Sequence, residues 1–98
     1  MLPNAGARGP ADRAIAQVDD AFTRGDLNKA RTLASKVLEQ NPTEPHMLQV
    51  MAYIACAHHE LKEARNYYGA LTDPADRTRV QSMCKRRGVD IDAKPPEH

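Results

Sequence analysis

The side chains with reactive chemistry fall in a few short stretches: Cys56 and Cys84, the run His58-His59-Glu60, the pair Tyr67-Tyr68, and the cations Arg77, Arg79, Lys85, Arg86 and Arg87. The His-His-Glu run has the donor types of a metal site. Zinc, however, needs three or four ligands converging at about 2.0–2.3 Å, and adjacent residues on a helix project about 100° apart. The run reads as a solvated turn. The five cations have no acid between them and could attract phosphate or an acidic partner. No aromatic residue accompanies them for base stacking, and Lys85, Arg86 and Arg87 stand where a last helical turn gains about 0.3–1 kcal/mol from each cation. The reading therefore disfavours nucleic acid. Neither cysteine has a His and an acid placed as a nucleophilic set requires. No catalytic residue, cofactor or metal is expected, and the chain does not read as an enzyme.

The elements that carry these groups follow a repeat. Gly25-Asp26-Leu27-Asn28-Lys29-Ala30-Arg31 returns as His59-Glu60-Leu61-Lys62-Glu63-Ala64-Arg65, 34 residues later. A fixed period of this length marks helix pairs that bury their apolar faces against the next pair. On that period Cys56 and Cys84, 28 residues apart, are offset by nearly two turns on neighbouring helices. A disulfide needs Cα atoms within about 7 Å. Two free, buried thiols acting as small hydrophobes are expected, as in a reducing compartment.

The local signals give five helices. The first begins at Pro10, places Ala11, Ala14, Ile15, Val18, Ala21 and Phe22 on one face, and stops at Gly25. Asp26 caps the second, whose stripe is Leu27, Ala30, Leu33, Ala34, Val37 and Leu38. Asn41-Pro42 ends it. Thr43 is the expected cap of the third, with Pro45 in its first turn. Met47, Leu48 and the run from Val50 to Ala57 leave that helix no clear polar face, so it should be buried on several sides. The fourth carries Leu61, Ala64, Tyr67, Tyr68 and Leu71, with Tyr68 in the core and Tyr67 half exposed. Asp73-Pro74 opens the fifth, which runs to Arg87, stops at Gly88 and has the composition of a capping helix. Val89 and Ile91 fold back onto it. The expected organisation is a tail at 1–9, a helical domain at 10–91 and a disordered tail at 92–98.

The chain has 98 residues, 41 % of them hydrophobic but without tryptophan, and a net charge of +1. That allows one small domain with a thin core and gives no global field for nucleic acid or membrane. The N-terminus has no apolar signal core, and no run of about 18 apolar residues is present. A cytoplasmic setting is the expectation.

Helix pairs at a spacing of 34 resemble the tetratricopeptide repeat family. The matching residues are the Gly25-Asp26 turn, Ala30, Ala34 and Pro42, then the His59-Glu60 turn, Ala64 and Tyr68, with Ala52 at a small-residue contact position. The chain departs from the pattern in lacking Trp, in Val18 at the first small-residue position, and in a short fourth helix whose Pro74 comes two residues early. The resemblance implies an all-α fold, antiparallel helix pairs in a right-handed superhelix, here two repeats plus a C-terminal capping helix. It also implies a concave groove lined by the first, third and fifth helices. Residues one period apart would form rows: Asp12, His46 and Val80; Ile15, Gln49 and Met83; Asp19, Tyr53 and Arg87; Phe22 and Cys56. The groove candidates are Ile15, Asp19, Phe22, His46, Gln49, Tyr53, Met83 and Arg87, a mixture suited to an extended segment or a helix. Where family members hold a peptide carboxylate, this chain has Ile15, Asp19, Val80 and Cys84, so that clamp is missing.

A more diffuse likeness covers Ile54-Ala55-Cys56, Ala64-Arg65-Asn66-Tyr67-Tyr68 and Arg77 to Val89. It is similar to helical tails of multidomain bacterial proteins, including C-terminal regions of myxobacterial-type Ser/Thr protein kinases. The implied function is a non-catalytic protein-interaction module of a larger bacterial protein or assembly, binding a peptide or helix. The alternative is a homodimerisation domain, or an intramolecular docking module of a signalling protein.

Overall fold

A computed structural model of the chain describes residues 10–91, with side chains from Arg13 onward. The tails expected at 1–9 and 92–98, and the side chain of Asp12, lie outside the described residues. Among the described residues five α-helices follow one another: α1 (Pro10–Thr23), α2 (Leu27–Gln40), α3 (Pro45–Ala57), α4 (Leu61–Ala70) and α5 (Pro74–Arg86). Among the described residues there is no strand, and no helix is long and apolar enough to cross a membrane.

Side-chain caps open α2, α3 and α5. Asp26 accepts from the backbone N–H of Lys29 at 3.2 Å and caps α2, a contact worth about 0.5–2 kcal/mol. Asp73 does the same for α5 through Ala75 N–H at 2.9 Å, with Pro74 at the first helical position. The cap of α3 is Glu44, whose carboxylate accepts from Met47 N–H at 2.9 Å. Thr43 was expected there, but Pro45 fixes the first turn one residue later than that assignment required.

Three helices end in the same way. After α1, Gly25 N–H donates to Phe22 O at 3.0 Å and Asp26 N–H to Ala21 O at 2.9 Å. After α3, His59 N–H donates to Cys56 O and Glu60 N–H to Ala55 O; after α5, Gly88 N–H donates to Lys85 O and Val89 N–H to Cys84 O. These paired bonds satisfy the last orphan carbonyls and require a left-handed residue at the turn. Gly25 (φ 82°), His59 (φ 58°) and Gly88 (φ 79°) supply it. From Gly25 to His59 is 34 residues; from His59 to Gly88 is 29.

The five missing residues are accounted for locally. α2 has 14 residues and α4 has 10. The connection 41–44 before α3 is also one residue longer than the connection 71–73 before α5.

α1 packs on α2 and α3 on α4, while α3 also packs on α2 and α5. α3 is accordingly the most buried element, with Met47, Leu48, Val50, Met51, Ala52, Ile54, Ala55 and Cys56 all inside. The core has two parts. Val18, Ala21, Ala30, Ala34, Val37 and Met47 belong to one; Ala52, Cys56, Ala64, Tyr68, Val80, Cys84, Val89 and Ile91 belong to the other, and the half-buried Leu38 and Tyr67 touch both. Val89 and Ile91 do fold back onto the array, and Tyr68 is the core tyrosine. Ala30, Ala34, Ala52 and Ala64 are fully buried between the helices, alongside Val18, Met47, Ile54 and Val80.

The thiol expectation is overturned. Cys56 and Cys84 form a disulfide between α3 and α5, with Cα atoms 5.4 Å apart, and no cysteine is free. The expected two-turn offset assumed that α5 stands one full period after α3. Shortening by five residues slides α5 along α3 and brings position 84 beside position 56.

Candidate functional site

The exposed faces of α1, α3 and α5 form a strip. All eight groove candidates remain at least partly accessible: Ile15, Asp19, Phe22, Gln49, Tyr53 and Met83 are half-buried, and His46 and Arg87 are exposed. Of the other row members, Cys56 and Val80 are fully buried in the core and belong to packing.

The strip is stitched by specific contacts. On its N-terminal side, His46 Nε2 on α3 lies 2.6 Å from Asp19 Oδ1 on α1. In the middle, the rings of Phe22 and Tyr53 meet edge to face, with centroids 5.3 Å apart and planes at 79°. Arg87, the C-cap of α5, donates through Nε to Tyr53 Oη at 2.8 Å and through Nη2 to the same oxygen. Its guanidinium carbon lies 5.2 Å from the Tyr53 ring centre. Arg79 Nη1 donates to Gln49 Oε1 at 3.5 Å and to Asp76 Oδ1 at 3.1 Å. Ile15 and Met83 pack partly against the two core clusters.

The structure thus brings Asp19 to His46, and Phe22 and Arg87 to Tyr53. The row pairs Ile15 with Gln49 and Gln49 with Met83 have no such bond. Lateral contacts between α1 and α3 join residues 27 apart (Asp19–His46) and 31 apart (Phe22–Tyr53), because the facing helices are staggered by up to two turns. Tyr53–Arg87 does span 34 residues, since the long arginine side chain at the end of α5 reaches along α3.

The five cations of the last helix do not form one patch. The guanidinium of Arg77 stacks 4.5 Å over the Tyr68 ring, Arg79 pairs with Asp76, and Arg87 is held by Tyr53. Lys85 and Arg86 project from the last turn. The His-His-Glu run is likewise divided. Glu60 forms an ion pair with Arg31 of α2, His58 Nδ1 lies 3.5 Å from Arg31 Nη1, and His59 occupies the left-handed turn. Arg31 was legible only as a repeated signature residue; its partner 29 positions away was not.

That ion pair sets the local titration. Hydrogen bonding and charge from Arg31 hold the Glu60 carboxyl below its ordinary range, and Glu60 raises Arg31 in turn. On the surface of α1, the hydrogen bond from Arg24 lowers Asp20 in the same way.

A cleft of about 410 Å³ opens between the connections before α3 and α5, over Leu48 and Leu71, with Asp73 and Asp76 at its edge. Both acids are engaged, Asp73 by the α5 N-terminus and Asp76 by Arg79.

Comparison with family models, with curated proteins and with solved structures returns no match.

Proposed function

We propose that residues 10–91 are a tetratricopeptide-like interaction module: two helix pairs and a capping helix in a right-handed superhelix, binding a peptide or helix of a partner protein along the α1–α3–α5 strip. The observation that carries this reading is the continuity of the strip. Phe22, Tyr53 and Arg87 come from three different segments, touch in series and remain accessible. An aromatic centre flanked by polar groups on rigid helices is a surface that recognises extended or helical segments. This reading gives the module a binding role and no catalytic one. The reading places it within a larger bacterial protein or assembly, as in the kinase-tail likeness, and in the cytoplasm. There the Cys56–Cys84 bond would be of the transient, redox-sensing kind, because stable disulfides belong to oxidising compartments.

Capture of a partner from a bacterial lysate by the wild-type domain, lost with Tyr53→Ala and Arg87→Glu at unchanged helicity, supports this assignment. Equal capture by both variants removes it.

A second reading, self-association or docking to a neighbouring domain, is favoured by Leu61. It is 40 % exposed at the C-terminal end of the array, whereas Leu27, its counterpart one period earlier, packs against the core. A Leu61→Lys variant that abolishes a dimer seen by light scattering at micromolar concentration would favour it over peptide binding.

A further inference from the structure

We infer that the Cys56–Cys84 disulfide is a redox latch: it holds α5 on α3, and reducing it frees α5 while α1 and α2 stay folded. Four observations converge on this. First, the bond joins two helices that are far apart in sequence, and α5 and the residues after it reach the core through few side chains. Val80 and Cys84 are the buried residues of the helix, with Val89 and Ile91 following. Second, α5 rests on α3 and has no comparable contact with α1 or α2. The core cluster of α1 and α2 contains no residue of α5, so α5 can leave without opening it. Third, both sulfurs are fully buried. A reductant cannot reach them in the closed fold, and exchange requires a thiolate to contact a sulfur directly. Reduction must therefore pass through a transient lifting of α5. Fourth, α5 carries one wall of the strip, Met83 and Arg79, and positions Arg87 on Tyr53.

The chemistry balances with a dithiol as reductant. One of its thiolates attacks a cysteine sulfur and forms a mixed disulfide. The second thiol closes on the first, so two electrons and two protons pass to Cys56 and Cys84, and the reductant leaves as its own disulfide. Once the link is cut, the loop-closure constraint on the open state is gone. Lifting α5 then opens the core cluster that its Val80 and Cys84 share with Ala52 and Cys56 of α3, and Tyr53 loses its arginine. The consequence for partner binding rests on the strip proposed above; the latch itself does not.

Hydrogen exchange of the full chain, oxidised and then reduced with excess dithiothreitol, tests the latch without any partner. The expected result is exchange at least about tenfold faster across 74–91 in the reduced protein, with α1 and α2 unchanged. A Cys56→Ala/Cys84→Ala double variant should show the same pattern without reductant. The rate of reduction should reach a plateau as dithiothreitol is increased, because opening becomes limiting. Equal protection of 74–91 in both redox states, simultaneous loss of protection in all five helices, or a reduction rate that stays proportional to reductant would each overturn the latch. If the exchange pattern appears but Tyr53→Ala leaves partner capture intact, the latch stands and the strip assignment falls.

Discussion

Arg87 and Tyr53 stand one full period apart in the chain and meet in space: Nε of the arginine lies 2.8 Å from the phenolic oxygen, and the guanidinium carbon lies 5.2 Å from the ring centre of the same residue. The phenol thereby fixes an arginine that would otherwise be a mobile surface cation. Phe22 meets the same ring edge to face, so three segments share one residue.

Removing this centre should affect recognition more than folding. Arg87 is exposed and Tyr53 half-buried, and an accessible hydrogen bond with a cation–π contact is worth about 0.5–1.5 kcal/mol. Tyr53→Phe and Arg87→Ala are each expected to lower stability by about 1 kcal/mol or less in urea unfolding, with unchanged far-ultraviolet circular dichroism. A loss of more than about 3 kcal/mol would make Tyr53 a core residue instead.

The alanine contacts behave in the opposite way. Ala30, Ala52 and Ala64 are fully buried where helices approach closely, so enlarging them forces displacement rather than filling space. Ala30→Leu, Ala52→Leu and Ala64→Leu should each destabilise by about 1–3 kcal/mol. Urea midpoints provide the check; a neutral result at all three would mean the helices are not in close contact there.

The three helix-ending turns give a matched set. His59 holds φ 58° with a side chain attached, in a region where a Cβ is disfavoured by about 1–2 kcal/mol. His59→Gly should raise the melting temperature, and Gly25→Ala and Gly88→Ala should lower it. No contact blocks a Cβ at Gly25 or Gly88, so a loss there would report backbone conformation alone. If His59→Gly proved destabilising, the histidine ring would have to be holding the turn through its own contacts.

Acid should weaken the fold through Glu60 and Asp20. Both carboxyls sit below their ordinary values of 4.5 and 3.8 in the folded chain. The unfolded chain binds more protons in that window, so stability rises with pH through it and is lost as pH falls. The contribution is fully present at neutral pH, begins to decline near pH 5, and disappears as the pH drops below the folded values. Glu60→Gln should flatten part of the slope of stability against pH below about 5. A slope identical to wild type would show that the Arg31 pair does not persist in solution.

Local structure was readable because its causes are local. Pro10, Pro45 and Pro74 open helices, Gly25 and Gly88 close them, and Asp26 and Asp73 cap. The apolar character of 47–57 marked α3 as the central element before any packing was known. Thr43 and Glu44 show the limit of that reasoning: both can accept from a first-turn N–H, and only the backbone path around Pro45 decides between them. The Arg31–Glu60 pair and the disulfide depend on how one helix sits along another, which no local signal encodes. For the disulfide a clue was present, since the early Pro74 marks the missing residues. Applying an unbroken period across that gap placed Cys84 two turns from where it lies. For the strip, the residue types were legible and their partners mostly were not, because stagger between α1 and α3 replaces row neighbours with diagonal ones.

The early third turn also sets a rule for anyone wishing to lengthen this protein. A further helix pair grafted after Gly88 would meet an end plane displaced by five residues, about 7.5 Å along the helix axis, from the one that the first pair presents to the second. Leu61, left uncovered at that end, would face a gap instead of a neighbour. Extension would first require four residues restored to α4 and one to the connection before α5. The same insertion would carry Cys84 away from Cys56, so a longer array and the cross-link are alternatives in this sequence.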